Sequence, residues 1–128
     1  MRLLALLLLL LTAAAPPDRL LRSEVLTGRL VGWEMGDYLW ATIATEGGQR
    51  SAQPGQDPIG PFLEARRGLP LTIRIDTVST YVPEAGGMTE IDRIGFARDR
   101  RENAASWWQR LSPAERRAAR RRFEAAIR

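Results

Sequence analysis

The chain has no cysteine. Its fold must therefore be held by packing and hydrogen bonds alone, with no disulfide to staple a small core. The same absence removes thiolate nucleophiles, zinc fingers and a lipidated N-terminal cysteine. There is also no histidine, hence no Ser-His-Asp triad, no imidazole base and no imidazole metal ligand. All 19 basic residues are arginine, which excludes Schiff-base chemistry and a lysine-bearing phosphate loop. Arginine without lysine, beside abundant Ala, Gly and Pro, fits coding in a high-GC bacterial genome. These absences turn the expected function from catalysis toward binding, with no cofactor and no metal.

The N-terminus reads as an export signal. Met1-Arg2 is followed by an apolar run over 3–11 and then Thr12-Ala13-Ala14-Ala15, the order of a charged n-region, an apolar h-region and a small-residue cleavage site. The apolar stretch 3–15 is 13 residues long, against about 20 for a bilayer span. The expectation is a signal peptide over 1–15, cleaved near Ala14 or Ala15. The product would be periplasmic or secreted, with no transmembrane span after processing. Pro16 and Pro17 begin an extended lead-in over 16–23. What remains, about 113 residues, suits one domain with a core of its own.

Charge is unevenly placed. Residues 16–97 carry 8 arginines against 11 acidic residues, and residues 98–128 carry 10 against 4. The basic character belongs to the tail.

Residues 24–34 are rich in β-branched and aromatic types and read as a strand, with Gly28 and Gly32 on the parity of Leu26 and Leu30. Glycine on the inner face lets a strand coil sharply. Met35-Gly36-Asp37 is a turn, and 38–46 a second strand with Leu39, Ala41 and Ile43 opposed to Tyr38, Trp40 and Thr42. Gly47-Gly48 marks a hairpin into a short third strand over 49–53. Pro54, Pro58 and Pro61 make 54–60 a loop, and a short helix over 62–67 ends at Gly68. Leu71, Ile73 and Ile75 alternate with Thr72, Arg74 and Asp76 in a strand over 71–82. A turn over 83–87 leads to a last strand, 88–97. There Ile91 and Ile94 can both be buried only with a bulge between them or with two buried faces. The tail is helical. Ser112-Pro113-Ala114-Glu115 is a helix start, and the thin stripe Ala119, Phe123, Ala126, Ile127 predicts that one narrow face docks or that the helix frays.

This order of strands, with a helix between strands 3 and 4, resembles the OB-fold and the small exported bacterial proteins that carry OB-type barrels. The resemblance covers 24–97 and rests on element order and glycine placement. An SH3-like or other small barrel is the rival. The expected fold is mainly β: a five-stranded OB-like Greek-key barrel over 24–97, with an Arg-rich helical tail over 98–128. The resemblance implies a strand face that binds oligonucleotides or oligosaccharides.

Three sets of residues are candidates for function. With Leu26, Leu30, Leu39 and Ile43 inside, Arg29, Trp33, Tyr38 and Trp40 fall outside, and Arg74 joins them from strand 4. Aromatic rings stack on sugars or bases, and arginine holds anionic groups. The competing reading is that Trp107, Trp108 and Leu111 of the tail cover this row. The second set is Arg116, Arg117, Arg120 and Arg121, a basic helix flank suited to an anionic envelope polymer, a protein partner or, less readily, nucleic acid. Its competing reading is a solvated surface helix. The third set is Glu34, Asp37, Asp76, Glu84, Glu90 and Asp92, which invites comparison with staphylococcal-type nucleases, OB-folds that use Asp, Glu and Arg. Their compact spacing is not matched, and turn formation and edge protection also explain these carboxylates. The expectation is an exported, non-catalytic binding module. A structural or interaction protein of the envelope and a carboxylate-dependent hydrolase are the alternatives. Gly36-Asp37 and Gly86-Gly87 read as turns.

Overall fold

The computed structural model describes residues 16–128, so the expected signal peptide lies outside the described residues. The strands are β1 Arg19–Met35, β2 Leu39–Thr45, β3 Gly48–Ala52, β4 Leu71–Val82 and β5 Gly87–Arg98. They form one open antiparallel sheet in the order β3-β2-β1-β4-β5. Helix α1, Ile59–Ala65, lies between β3 and β4, and helices α2, Ala104–Arg110, and α3, Pro113–Ala126, follow β5. No helix among the described residues is long and apolar enough to cross a membrane.

β1 organises the sheet by changing partner. Residues 19–28 pair with β4 and residues 28–35 with β2, so Gly28 faces Leu71 on one side and Thr45 on the other. A Cβ on this buried glycine would lie 2.5 Å from Ile43 Cγ2 and 3.2 Å from the Ala44 carbonyl oxygen. The strand can cross Ile43 at that distance only without a side chain. The lead-in expected over 16–23 is corrected: β1 begins at Arg19, because 19–23 find ladder partners on β4 as far as Ser79.

A second irregularity in β1 redirects everything after it. The register slips between Leu30 and Gly32, leaving Val31 exposed as the extra residue. An extra residue exchanges the two faces of the strand beyond it. Leu30 points into the core, and Trp33, opposite the buried Ala41, points the same way. The carbonyls at the bulge are satisfied from the α1–β4 connection. Arg67 Nη1 donates to Val31 O at 2.8 Å, and the Gly68 amide to Leu30 O at 3.1 Å.

The core joins Leu30, Ile43, Ile73, Ile75 and Ile94 of the sheet to Phe62 and Leu63 of α1. α1 starts at Ile59, three residues before the expected start, with Pro61 in its first turn where a missing amide costs nothing. Ala104, Trp107 and Ala119 complete the core from the tail, so the tail docks and does not fray. On β5, Ile94 lies opposite Ile75 in the core, while Ile91, opposite Val78, is buried on the other face. Two buried faces, not a bulge between the isoleucines, resolve that pair. The bulge in this ladder sits at Gly95, after Ile94.

Where a closed barrel is expected, the sheet is open. Its edge strands meet at one parallel bridge, Gln53 to Arg93, in which the Gln53 amide donates to Asp92 O at 2.9 Å and the Ile94 amide to Gln53 O at 2.8 Å. β3 has five residues, and Pro54 has no amide to carry the pairing further.

Candidate functional site

The expected aromatic row does not assemble. Trp33 is corrected from outside to inside by the bulge at Val31. It packs against the core and takes the ring of Phe123 from α3 edge-on, with centroids 5.0 Å apart. Trp40 does lie on the outer side of β2, half-buried, opposite Glu34. Tyr38 is half-buried, and its hydroxyl donates to Glu84 Oε2 at 3.0 Å, which holds its pKa above the ordinary value. Arg29 is exposed and donates to the Gly68 carbonyl at 2.9 Å. Arg74 grips Asp76 through Nε at 2.9 Å and Nη2 at 3.1 Å, above Gly95, whose missing side chain leaves room for the pair. Three of the five positions, Arg29, Tyr38 and Arg74, are thus bonded within the chain, and one, Trp33, packs on the core.

The tail covers Trp33 by a different residue from those expected. Trp107 stacks edge-on against Phe62 of α1 at 5.6 Å, and Trp108 leans on Trp107 at 5.8 Å. Neither packs its ring on Trp33; Phe123 does. α3 starts at the expected cap: Ser112 Oγ accepts from the Glu115 amide at 3.1 Å, and Glu115 Oε1 accepts from the Ser112 amide at 3.0 Å.

The four tail arginines divide into two pairs. Arg116 turns back to the end of α2, donating to the Trp108 carbonyl at 2.9 Å and to that of Gln109 at 3.3 Å. Arg120 lies over the Trp108 ring at 5.0 Å and pairs with Asp57 at 3.6 Å. Arg117 and Arg121, one turn apart on the solvent side of α3, are exposed and have no ion-pair partner among the described residues. The flank that looks continuous in sequence is therefore half structural and half free.

The carboxylates are dispersed. Asp76 accepts from Ser23 and Arg74, Glu84 from Tyr38, and Asp92 from Thr77 at 2.6 Å. Glu90 reaches Arg22 at 3.9 Å. Among the described residues no three of them converge on a common point.

The densest electrostatic site was not foreseen. Arg66, whose side chain is only 10% exposed, donates through Nε to Asp99 Oδ2 at 2.7 Å and through Nη2 to Glu102 Oε1 at 3.4 Å. Its guanidinium also lies 3.8 Å from the Phe62 ring centre and 4.9 Å from that of Trp107. Arg110 closes the cluster on Glu102. Burial pushes the Asp99 carboxyl up. Hydrogen bonds from Arg66 and from the amides of Glu102 and Arg101, with the charge of Arg66, outweigh burial and hold it at about 2. A folded-state pKa below the unfolded value means the unfolded chain binds the extra proton. The stability from Asp99 is thus complete above pH 4 and lost as pH falls toward 2. About 2 kcal/mol is expected to go over that window. Urea unfolding at pH 5, 3 and 2 should show this loss. Asp99→Asn should start less stable at pH 5 and lose correspondingly less on acidification.

No family model, curated protein or solved structure matches the chain.

Proposed function

We propose that this protein is an exported, non-catalytic binding module of OB type that engages an anionic polymer through the solvent side of α3. The observation that carries this reading is the pair Arg117 and Arg121, exposed one turn apart with no acidic partner among the described residues. Arg66, Arg67, Arg74, Arg110 and Arg116 hold carboxylates or carbonyls of the chain itself, while Arg122, also exposed and without an ion-pair partner among the described residues, adds a third free charge to α3. Two guanidinium groups left in water on a helix face cost little alone and gain by releasing counterions from a polyanion. The OB assignment is supported by the strand order, by β1 shared between β2 and β4 at Gly28, by α1 between β3 and β4, and by the parallel bridge between the two edges.

The test is retention of residues 16–128 on an immobilised sulfated polysaccharide as salt is raised. Binding should fall linearly in log–log form. Arg117→Ala with Arg121→Ala should weaken it about tenfold at low salt and flatten the slope by about 2. Binding that is insensitive to salt, or unmoved by the double substitution, would remove α3 from the function.

A second reading has one observation in its favour. Tyr38, Leu39, Gln53, Gln56 and Arg93 line a cleft of about 360 Å³ where the β1–β2 turn meets the β3–α1 connection. An aromatic ring, two amides and a guanidinium suit an oligosaccharide unit.

A further inference from the structure

We propose that the open edge of β1 is a self-association surface, and that its partner is a second copy of this chain paired antiparallel about Ser23. Residues 19–27 pair with β4 on one side only, because β2 joins β1 only from Gly28 onward. No strand or bridge among the described residues occupies the other side, where Arg50 of β3 reaches Glu24 Oε2 at 2.9 Å and leaves that carboxylate more than half exposed. The remaining edges are shorter or occupied. β3 has five residues, and β5 is bridged at Arg93 and again at Arg98. Beyond Gly28, Arg67 and Gly68 take the carbonyls of Val31 and Leu30.

A free strand edge is a template for another strand. This one also holds Leu20, 59% exposed, and Val25, 67% exposed, which are large apolar side chains in water. Charged residues on an edge ordinarily deter pairing. Here their order selects one pairing instead. The midpoint of 19–27 is Ser23, and a two-fold axis there sets Arg22 opposite the partner's Glu24, twice by symmetry. Sliding the pairing by one step of the pleat places Arg22 against the partner's Arg22, or Glu24 against the partner's Glu24. Like charges directly opposite are destabilising. Parallel in-register pairing would place like beside like throughout. The irregularity between Leu20 and Arg22 falls outside the central triplet 22–24. Pairing ends naturally at Pro16 and Pro17, which lack amides, and at Gly28, where β1 turns onto β2.

The test uses residues 16–128, which contain the whole sheet and core. Sedimentation velocity across a concentration series should show a reversible dimer. Arg22→Glu and Glu24→Arg, each with wild-type circular dichroism, should weaken it by about tenfold or more when alone. Mixed together they should restore it, since each supplies the charges the other lacks. The cysteine-free chain gives an independent arm. Ser23→Cys should form an intermolecular disulfide in air, whereas Gln49→Cys on β3 should not. A wild-type protein that stays monomeric throughout, or single charge reversals that dimerise as the wild type does, would overturn the proposal. Equal cross-linking at both cysteine positions would do so too.

Discussion

Arg66→Ala is expected to be the most damaging single substitution in this protein that removes no core hydrocarbon. The guanidinium is enclosed by two carboxylates and two aromatic rings. Its removal leaves Asp99 and Glu102 beside the core without their main partner, although Arg110 still reaches Glu102. Deleting one member of a largely buried pair costs about 3–5 kcal/mol, because the charge left behind is unsatisfied. Total stability for a domain of this size is of order 5–15 kcal/mol. Thermal unfolding should therefore begin about 10–20 °C lower. Two controls separate the causes. Arg66→Lys keeps the charge but loses the planar fork and the stacking on Phe62, so it should fall between wild type and alanine. The deficit of Arg66→Ala should also shrink as pH is lowered toward 2, where the wild-type Asp99 becomes protonated and its bond to Arg66 weakens. A deficit that is constant with pH would mean that packing, not the ion pair, is what Arg66 supplies.

This cluster also marks the limit of what the residues reveal in a row. Arg66 and Arg67 are adjacent, follow the same short helix and look alike. One is almost fully buried between Asp99 and Glu102, while the other pairs with Glu64 three residues away. What separates them is a contact across 33 positions, which no local pattern encodes. The elements themselves were legible. Alternation placed Leu71, Ile73 and Ile75 inside, inner-face glycine marked Gly28 and Gly32 as places where the strand can coil sharply, and Ser112-Pro113 with Glu115 marked the start of α3. Trp33 was misplaced because parity counted from Leu26 and Leu30 assumes an unbroken strand. One extra residue at Val31 reverses it. Nothing in Leu-Val-Gly-Trp signals that bulge except Gly32, which the alternation had already explained. The arginines of the tail were readable as a basic flank. Their division into bound and free depended on where α2 ends, since the carbonyls of Trp108 and Gln109 are what capture Arg116.

Gly60→Ala is expected to loosen α3 from the body, although the same change in an isolated helix would be favourable. Alanine gains about 1 kcal/mol over glycine in a helix interior. Here a Cβ at position 60 would stand 2.5, 2.7 and 2.9 Å from three atoms of the Phe123 ring. The ring has little freedom to retreat, because Trp33 meets it on another side at 5.0 Å. Overpacking of this kind costs about 1–3 kcal/mol, so the helix gain is cancelled or exceeded. Phe123→Ala should itself cost about 2–4 kcal/mol by uncovering Trp33 and leaving a void against α1. The informative species is the double variant. With the ring gone, the methyl at position 60 enters free space and the helix preference alone remains. Gly60→Ala should then be neutral or stabilising in the Phe123→Ala background. The two substitutions should thus be coupled by about 1–3 kcal/mol. Limited proteolysis gives the structural readout. Each single variant should be cut within α3, at the arginines of 116–122, faster than the wild type, with the body surviving as a protected fragment. Additive effects in the double variant would show that Gly60 and Phe123 act separately, and that α3 is held by Ala119 and the α2 contacts instead.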